Sequence, residues 1–257
     1  MRITVDAPAA RPRPLFSIIT ATYNAGALLQ RTIESLSAQA CRDFEWIVID
    51  GGSTDDSVER IEAAGALVSR WVSEPDEGIA DAWNKGLALA GGEYVLILNA
   101  GDTYDPEFLT AVAASCNGRQ VVCTHARLST EDNRPAGVFR AQPAKLPRGM
   151  YLPHNWCAVP AEHYRALGPY RKLRFAMDFD WFLRYYRHFG PTGFAVIDRA
   201  LGTYHMGGTS DSNYIASFEA SERVMIDNGV SPWRARCTRF SNTFKHAVKR
   251  RLLARRG

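Results

Sequence analysis

Short apolar runs alternate with helical patterns through the first hundred residues. Phe16–Thr20 (FSIIT), Trp46–Ile49 (WIVI) and Tyr94–Leu98 (YVLIL) are near-continuous apolar segments that read as strands buried on both faces, with Trp71–Ser73 ending a weaker one. Between them, 27–39 sets Leu28, Leu29, Ile33 and Leu36 at helical spacing. A second helix is expected over 53–64, with Ser53 or Thr54 as its cap and Asp55 and Asp56 in its first turn. A third, over 79–90, places Ile79, Ala82, Trp83, Gly86 and Leu87 on one side before Gly91-Gly92 closes it. Strands that alternate with helices in this way predict an α/β sandwich with a mostly parallel central sheet.

After Asp105 the chain is more aromatic and less regular. Val121–Leu128 and Gly137–Arg140 read as short strands, Ala161–Leu167 as a short helix, Phe175–His188 as a strong helix, and 194–205 contains another strand. No linker or internal repeat interrupts the pattern. A single domain is therefore expected over 15–225, in two halves (15–105 and 106–225), after a tail at 1–14 and before a C-terminal helix at 226–257.

Composition narrows the class. A chain of 257 residues needs no disulfide or metal staple to fold. It contains no apolar run near the roughly 20 residues a membrane helix requires, and residues 1–14 have no apolar leader segment. Five cysteines without C-x-x-C spacing fit a reducing, cytoplasmic setting. The net charge of +4 is uneven, because 228–257 carries nine basic residues and no acidic one, leaving an acidic body. In that tail Phe240, Phe244, Val248 and Leu252 form a stripe, with Lys245, Lys249 and Arg250 off it. Such a helix fits an anionic membrane surface at the inner face of the cytoplasmic membrane; the alternative is a helix docked on its own domain with a solvated basic face. No nucleic acid is expected as a partner.

In parallel α/β sheets ligands bind at the carboxyl ends of the strands. There the sequence places Thr22, Tyr23 and Asn24, then Asp50, then Glu74, Asp76 and Glu77, then Asn99 and Asp102. Carboxylates repel a bare phosphate but suit one that arrives with a divalent cation. The P-loop pattern, the G-x-G-x-x-G fingerprint and the G-x-S-x-G elbow are all missing, which removes most support for phosphoryl, hydride and serine-hydrolase chemistry.

FSIITATYNAGALLQRTIESL, FEWIVIDGGSTDDSV and EPDEGIADAWNKGLALAGGEYVLILNAGD, in this order, resemble the family 2 glycosyltransferases of GT-A fold, and most of all the branch that builds bacterial surface polysaccharides. The resemblance is dense over 16–105 and thinner to about 210. It implies inverting transfer of a sugar from a UDP- or dTDP-type nucleotide sugar to an acceptor hydroxyl, with Mn²⁺ or Mg²⁺ as cofactor and a glycan or lipid-linked saccharide as acceptor. Thr22 and Tyr23 would line the nucleoside, Asp50 would accept from the base ring NH, and Asp76 would touch base or ribose. Asn99-Ala100-Gly101-Asp102 falls on the D-x-D region, so Asp102 would bind the metal while Asn99 is a weaker neutral ligand. Trp83 stands where many relatives carry Arg, and Lys85 is expected to supply that charge.

The resemblance also places His154 at the acceptor, His205 at the donor diphosphate or metal, and Asp178 as general base within A-x-D-[YF]-D/E-x-[WF]-L-R. Asp178 and Asp180 lie about 200° apart on a helix, so one faces the reacting sugar. Asp180 has Arg184 at i+4 and is expected to form an exposed, weak pair whose loss is mild. A competing reading is a non-catalytic subunit that binds a nucleotide sugar or glycan. A sugar-1-phosphate nucleotidyltransferase would need a glycine-rich basic loop after the first strand, which Tyr23-Asn24-Ala25 does not supply.

Overall fold

The computed structural model describes residues 2–4, 13–207 and 213–254. The first parallel unit is β2 (Phe16–Thr22), α1 (Gly26–Ser37), β3 (Phe44–Asp50), α2 (Ser57–Ala63), β4 (Arg70–Ser73), α3 (Ile79–Leu89) and β5 (Tyr94–Ile97). A short strand β1 (Arg2–Thr4), within the segment expected as a tail, pairs antiparallel with β4 at the edge. The second half contributes β6 (Thr103–Tyr104), α4 (Phe108–Ala113), β7 (Val121–Ser129), β8 (Pro135–Phe139), β9 (Cys157–Pro160), α5 (Ala161–Leu167), α6 (Met177–Phe189) and β10 (Phe194–His205). Two helices close the chain, α7 (Tyr214–Asp227) and α8 (Pro232–Ala254).

All the strands join one sheet in the order β1-β4-β3-β2-β5-β9-β7-β10-β6, with β8 on β7. The predicted parallel core is β4-β3-β2-β5, and β7 and β10 are also parallel. Antiparallel β9 bridges the two parallel groups. This placement matters for the site: an antiparallel strand begins at the edge where its parallel neighbour ends, so the turn before β9 is delivered to the carboxyl edge of β5.

Side-chain alternation builds two cores. Phe16, Ile18, Trp46, Val48, Leu96 and Leu98 face α1, α2 and α4; Ile19, Ile47, Ile49, Val95 and Ile97 face α3, α5 and α6. Helix α3 lies so close to the sheet that a Cβ on Gly86 would sit 2.4 Å from Ile19 Cγ2. Its preceding turn, with Trp83, is thereby held against the strand ends.

Helix α2 starts at Ser57, four residues later than expected. Ser53 is not a cap: its hydroxyl donates to Asp50, and it accepts from Asn24 N. Asp56 is the N-cap, without a side-chain capping bond, and Asp55 before it accepts from Ser57 N (3.0 Å) and from Gly26 N (3.0 Å) at the start of α1.

Helix α8 docks through a face other than the expected stripe. Ala235 is buried, Arg239 pairs with Glu222 of α7, and the His246 ring stacks on Tyr214 at 4.4 Å. Phe240 and Phe244 point to solvent. The side chains of Lys245, Val248, Lys249, Arg250 and Leu252 lie outside the described residues.

Candidate active site

Register brings Thr22, Asp50 and Ser73 abreast at the carboxyl edge, because Thr22 pairs with Asp50 and Asp50 with Ser73. Asp50 is fully buried and built into the turn it starts. One oxygen accepts from Gly52 N (3.1 Å), Ser53 N (2.9 Å) and Ser73 Oγ (2.7 Å), and the other accepts from the Ser53 hydroxyl. A carboxylate has about four acceptor positions over its two oxygens, so Oδ1 alone retains capacity for a further donor.

Beside it Tyr23, exposed, and Asp76 close on the backbone of Gly51. A Cβ on Gly51 would approach Asp76 Oδ2 to 2.8 Å and the Tyr23 ring to 3.3 Å. The missing side chain lets the Tyr23 ring edge and the Asp76 carboxylate close on the Gly51 backbone. Thr22 Oγ1 is buried nearby without a hydrogen-bond partner.

Lys85 does not stand free at this edge. Its ammonium lies 2.9 Å from Glu74, 3.5 Å from Asp81 and 3.1 Å from the Pro75 carbonyl. Burial lowers its pKa, but Glu74 and then Asp81 outweigh this and raise it. The expected donor-facing charge is thus already neutralised, and Lys85 braces the 74–81 loop, which Lys172 also ties through Glu77 (2.9 Å) and Asp81 (2.8 Å).

The second cluster centres on Asp102, 4% exposed. Its loop is fixed from below by Thr32, whose hydroxyl accepts from Gly101 N (3.0 Å) and donates to the Asp102 carbonyl (3.1 Å). The carboxylate accepts from His205 N (3.0 Å) and from the Asn155 side-chain amide. Asn155 also receives the Asn99 amide (3.4 Å), and its carbonyl accepts from Tyr104 OH (2.6 Å). Asn99 Oδ1 is buried with no partner. The fold therefore brings Asn99, Asp102 and His205 together from β5, β6 and β10.

Two residues of this cluster escape the sequence reading. Asn155 lies next to His154, and its proximity to Asp102 arises only from the inserted β9. Arg31 sits one residue before Thr32, and its guanidinium is 3.3 Å from His205 Nδ1. Burial, then Arg31, lowers the His205 pKa. Arginine only donates, so this contact makes Nδ1 the acceptor and leaves the proton of the neutral ring on Nε2. In that tautomer His205 is a hydrogen-bond donor suited to a phosphate oxygen.

Among the described residues no three His, Cys, Asp or Glu side chains form a complete metal cage. The donor set still fits a hard divalent cation whose remaining ligands come from a diphosphate, since an anionic carboxylate and an orphaned amide oxygen belong to one network bridged by Asn155.

Facing these clusters is an aromatic wall. His154 packs edge-on against Trp83 (4.9 Å) and Phe182 (5.8 Å), and its Nε2 lies 3.1 Å from Tyr170 OH. Burial pushes the His154 imidazole down to about 4, against the pull of Asp178. His154 is therefore neutral near pH 7. Trp83, in place of the expected Arg, is buried in this wall with Nε1 unpartnered.

Asp178 is the second residue of α6, which begins at Met177 directly after Ala176, a non-glycine residue at φ 61°. A left-handed alanine costs on the order of 1–2 kcal/mol and sets the angle at which the helix enters. The Asp178 carboxylate accepts from Phe179 N (2.8 Å) and is partly solvent-accessible.

Asp180 corrects an expectation. It is 1% exposed, not on the surface, and joins Arg171 (3.0 Å), Arg184 (3.0 Å) and Asn228 (3.1 Å). The i+4 pairing with Arg184 is as expected, but α6 is buried nearly all round, and Asp180 ties it to the 171 loop and the end of α7. The two aspartates do part: Asp178 towards His154 and Tyr170, Asp180 into this buried node.

The family model for Glycosyl transferase family 2 matches residues 17–167, more than half of the chain, and the chain belongs to that family. A PGL/p-HBAD biosynthesis glycosyltransferase of Mycobacterium tuberculosis is 31% identical over 175 residues, covering 65% of this chain and 67% of the relative. Among solved structures, S. aureus TarS 1–349 in complex with UDP-GlcNAc superposes with a TM-score of 0.65 at 17% identity, over 86% of this chain and 69% of that one. Glucosyl-3-phosphoglycerate synthase from Mycobacterium tuberculosis, with Mn²⁺, UDP and phosphoglyceric acid, gives 0.61 at 20% identity, over 85% and 80%. The fold is GT-A and the protein is a glycosyltransferase, in keeping with a bacterial biosynthetic branch.

Proposed function

We propose that this glycosyltransferase moves a hexosyl or N-acetylhexosaminyl group from a UDP- or dTDP-type nucleotide sugar to an acceptor hydroxyl with inversion. The observation that carries this reading is the Asp102 carboxylate, held by Asn155 and the His205 amide, with the orphaned Asn99 oxygen on the same Asn155-centred network, on the strand-end edge that also bears Tyr23 and Asp76.

The nucleoside stacks on Tyr23, with Thr22 and Asp76 alongside and the base NH on the remaining position of Asp50 Oδ1. The diphosphate lies towards Asp102, with Arg31 and His205 Nε2–H as donors to its oxygens. Asp102 and the Asn99 oxygen would hold Mn²⁺ or Mg²⁺, with His205 beside them, and the cation would supply charge stabilisation for the leaving diphosphate.

On the other side Asp178 takes the proton of the acceptor hydroxyl. The hydroxyl oxygen forms a bond to the anomeric carbon from the face opposite the leaving group. The bond from that carbon to phosphate oxygen breaks, and its electron pair leaves on the diphosphate. One displacement inverts the centre. Neutral His154, fixed by Tyr170, orients the acceptor and adds no competing positive charge near the base.

The acceptor is a glycan or lipid-linked saccharide presented at an anionic membrane surface. A PGL/p-HBAD biosynthesis glycosyltransferase among the relatives, and enzymes of the same fold crystallised with UDP or UDP-GlcNAc, support transfer from a uridine-type donor.

Screening nucleotide sugars for thermal stabilisation and hydrolysis with Mn²⁺ or Mg²⁺ tests this. A uridine or thymidine diphosphate sugar should raise Tm by mass action and turn over. Selective stabilisation by a guanosine diphosphate sugar would overturn the pyrimidine assignment.

A further inference from the structure

Helix α8 has two opposite faces. Ala235, Arg239, Asn242 and His246 look inward: Ala235 is buried, Arg239 meets Glu222, Asn242 reaches towards Gly149, and His246 stacks on Tyr214. The outward face carries Trp233, Cys237, Phe240 and Phe244, at i, i+4, i+7 and i+11. These four fall within an arc of about 60° at 3.6 residues per turn. Trp233 is 75% exposed, Phe240 59% and Phe244 71%. Three large aromatic rings in one row on the solvent side of a docked helix are not packing residues of this domain.

We infer that this row is a lipid-insertion face, through which α8 lies in the interface plane of an anionic bilayer. Charge selects the occupant. Residues 228–257 carry nine basic side chains and no acidic one, so a second copy meeting through this face would bring like charges together, whereas an anionic leaflet complements them. Arg234, exposed on one flank of the row, lies where a headgroup phosphate would be met once the rings enter the acyl boundary. Trp at the headgroup level with Phe below is the arrangement such helices use. Docking of the opposite face on α7 makes α8 a rigid keel, since the helix is ordered before it meets lipid. The inference rests on the peripheral-membrane part of the function proposed above and sharpens it to named residues.

The test uses the full chain and vesicles of phosphatidylcholine, with or without phosphatidylglycerol, at low and high salt. The molecule supplies its own probe: Trp46, Trp71, Trp83, Trp156 and Trp181 are buried, so Trp233 is the exposed member of six tryptophans. Brominated acyl chains should quench Trp233 fluorescence, and Trp233→Phe should bind but lose that quenching. The triple variant Trp233→Ser/Phe240→Ser/Phe244→Ser should lose at least about tenfold in vesicle affinity, and Arg234→Gln about fivefold on anionic vesicles. Hydrolysis of a soluble donor should be unchanged in all of them, which separates this inference from the catalytic assignment. Absence of vesicle binding, equal binding to neutral vesicles, or binding without quenching each overturns it. So does a dimer that the triple variant dissolves without any vesicle affinity, which would assign the face to a second copy.

Discussion

Replacing each of the two α6 aspartates by asparagine separates chemistry from stability. Asp180 is almost fully buried and receives Arg171, Arg184 and Asn228 at 3.0–3.1 Å. Asparagine keeps one acceptor oxygen but removes the charge and turns an amide towards a cation or a donor. Breaking a buried ion pair by removing one partner costs about 3–5 kcal/mol. Arg171 is half exposed and can rehydrate, whereas Arg184 is largely covered, so the lower end, about 3 kcal/mol, applies to Asp180→Asn. For a domain of this size that is a fall in Tm of about 6–12 °C. Asp178→Asn keeps the acceptor for Phe179 N and should shift stability by under about 0.5 kcal/mol. It should lower kcat by about 10²–10⁴-fold, with donor affinity near wild type. Urea unfolding and initial rates on one purified set decide the matter. An Asp180→Asn variant as stable as wild type, or an active Asp178→Asn variant, would refute the division of roles.

Asn155→Leu removes the amide that holds the Asp102 carboxylate; activity should fall at least about tenfold, with a cost of about 1–3 kcal/mol in stability, read by rates and melting. Asp50→Asn disturbs four internal donors, so it should lower stability by about 1–3 kcal/mol as well as weaken UDP binding; calorimetry showing unchanged UDP affinity would remove Asp50 from the base site. His154 is held neutral down to about 4 when folded against 6.5 when unfolded. Its contribution is fully present above about 6.5 and is lost as pH falls towards 4, up to about 3 kcal/mol, because the unfolded chain binds the proton first. The difference in stability between wild type and His154→Gln should follow that slope; a difference that is flat or of opposite sign contradicts it.

Much of the first half is legible in the sequence, because buried parallel strands write themselves as apolar runs and their ends are where the polar residues cluster. Phe16, Trp46 and Tyr94 mark three of the four core strands, and Thr22, Asp50 and Asp102 fall at one edge. The second half is harder to read. Strand β9 is four residues long and antiparallel, so no periodicity announces it, yet the turn before it brings Asn155 to Asp102 and His154 to the aromatic wall. The Arg31–His205 contact spans 174 residues and depends on β10 lying beside β6. Asp180 looked exposed because an i+4 Arg is the mark of a surface pair; burial came from Arg171 and from Asn228 at the end of α7, which helical spacing does not encode. Lys85 pointed to the donor by position, while the carboxylates that neutralise it lie one turn earlier on its own helix and in the loop before it. That Phe240 and Phe244 share one side of α8 was legible, but which side of the helix docks is a matter of α7, not of α8.

Calorimetric titration of UDP with Mn²⁺ into the wild-type chain and into Asp102→Asn tests the donor site most directly. The account predicts metal-dependent UDP binding in the wild type and a loss of at least about tenfold in the variant, whose free form should also lose about 1–3 kcal/mol of stability because its amide nitrogen meets the His205 or Asn155 donor. Equal UDP affinity in the two proteins, or wild-type affinity undiminished by EDTA, would contradict it.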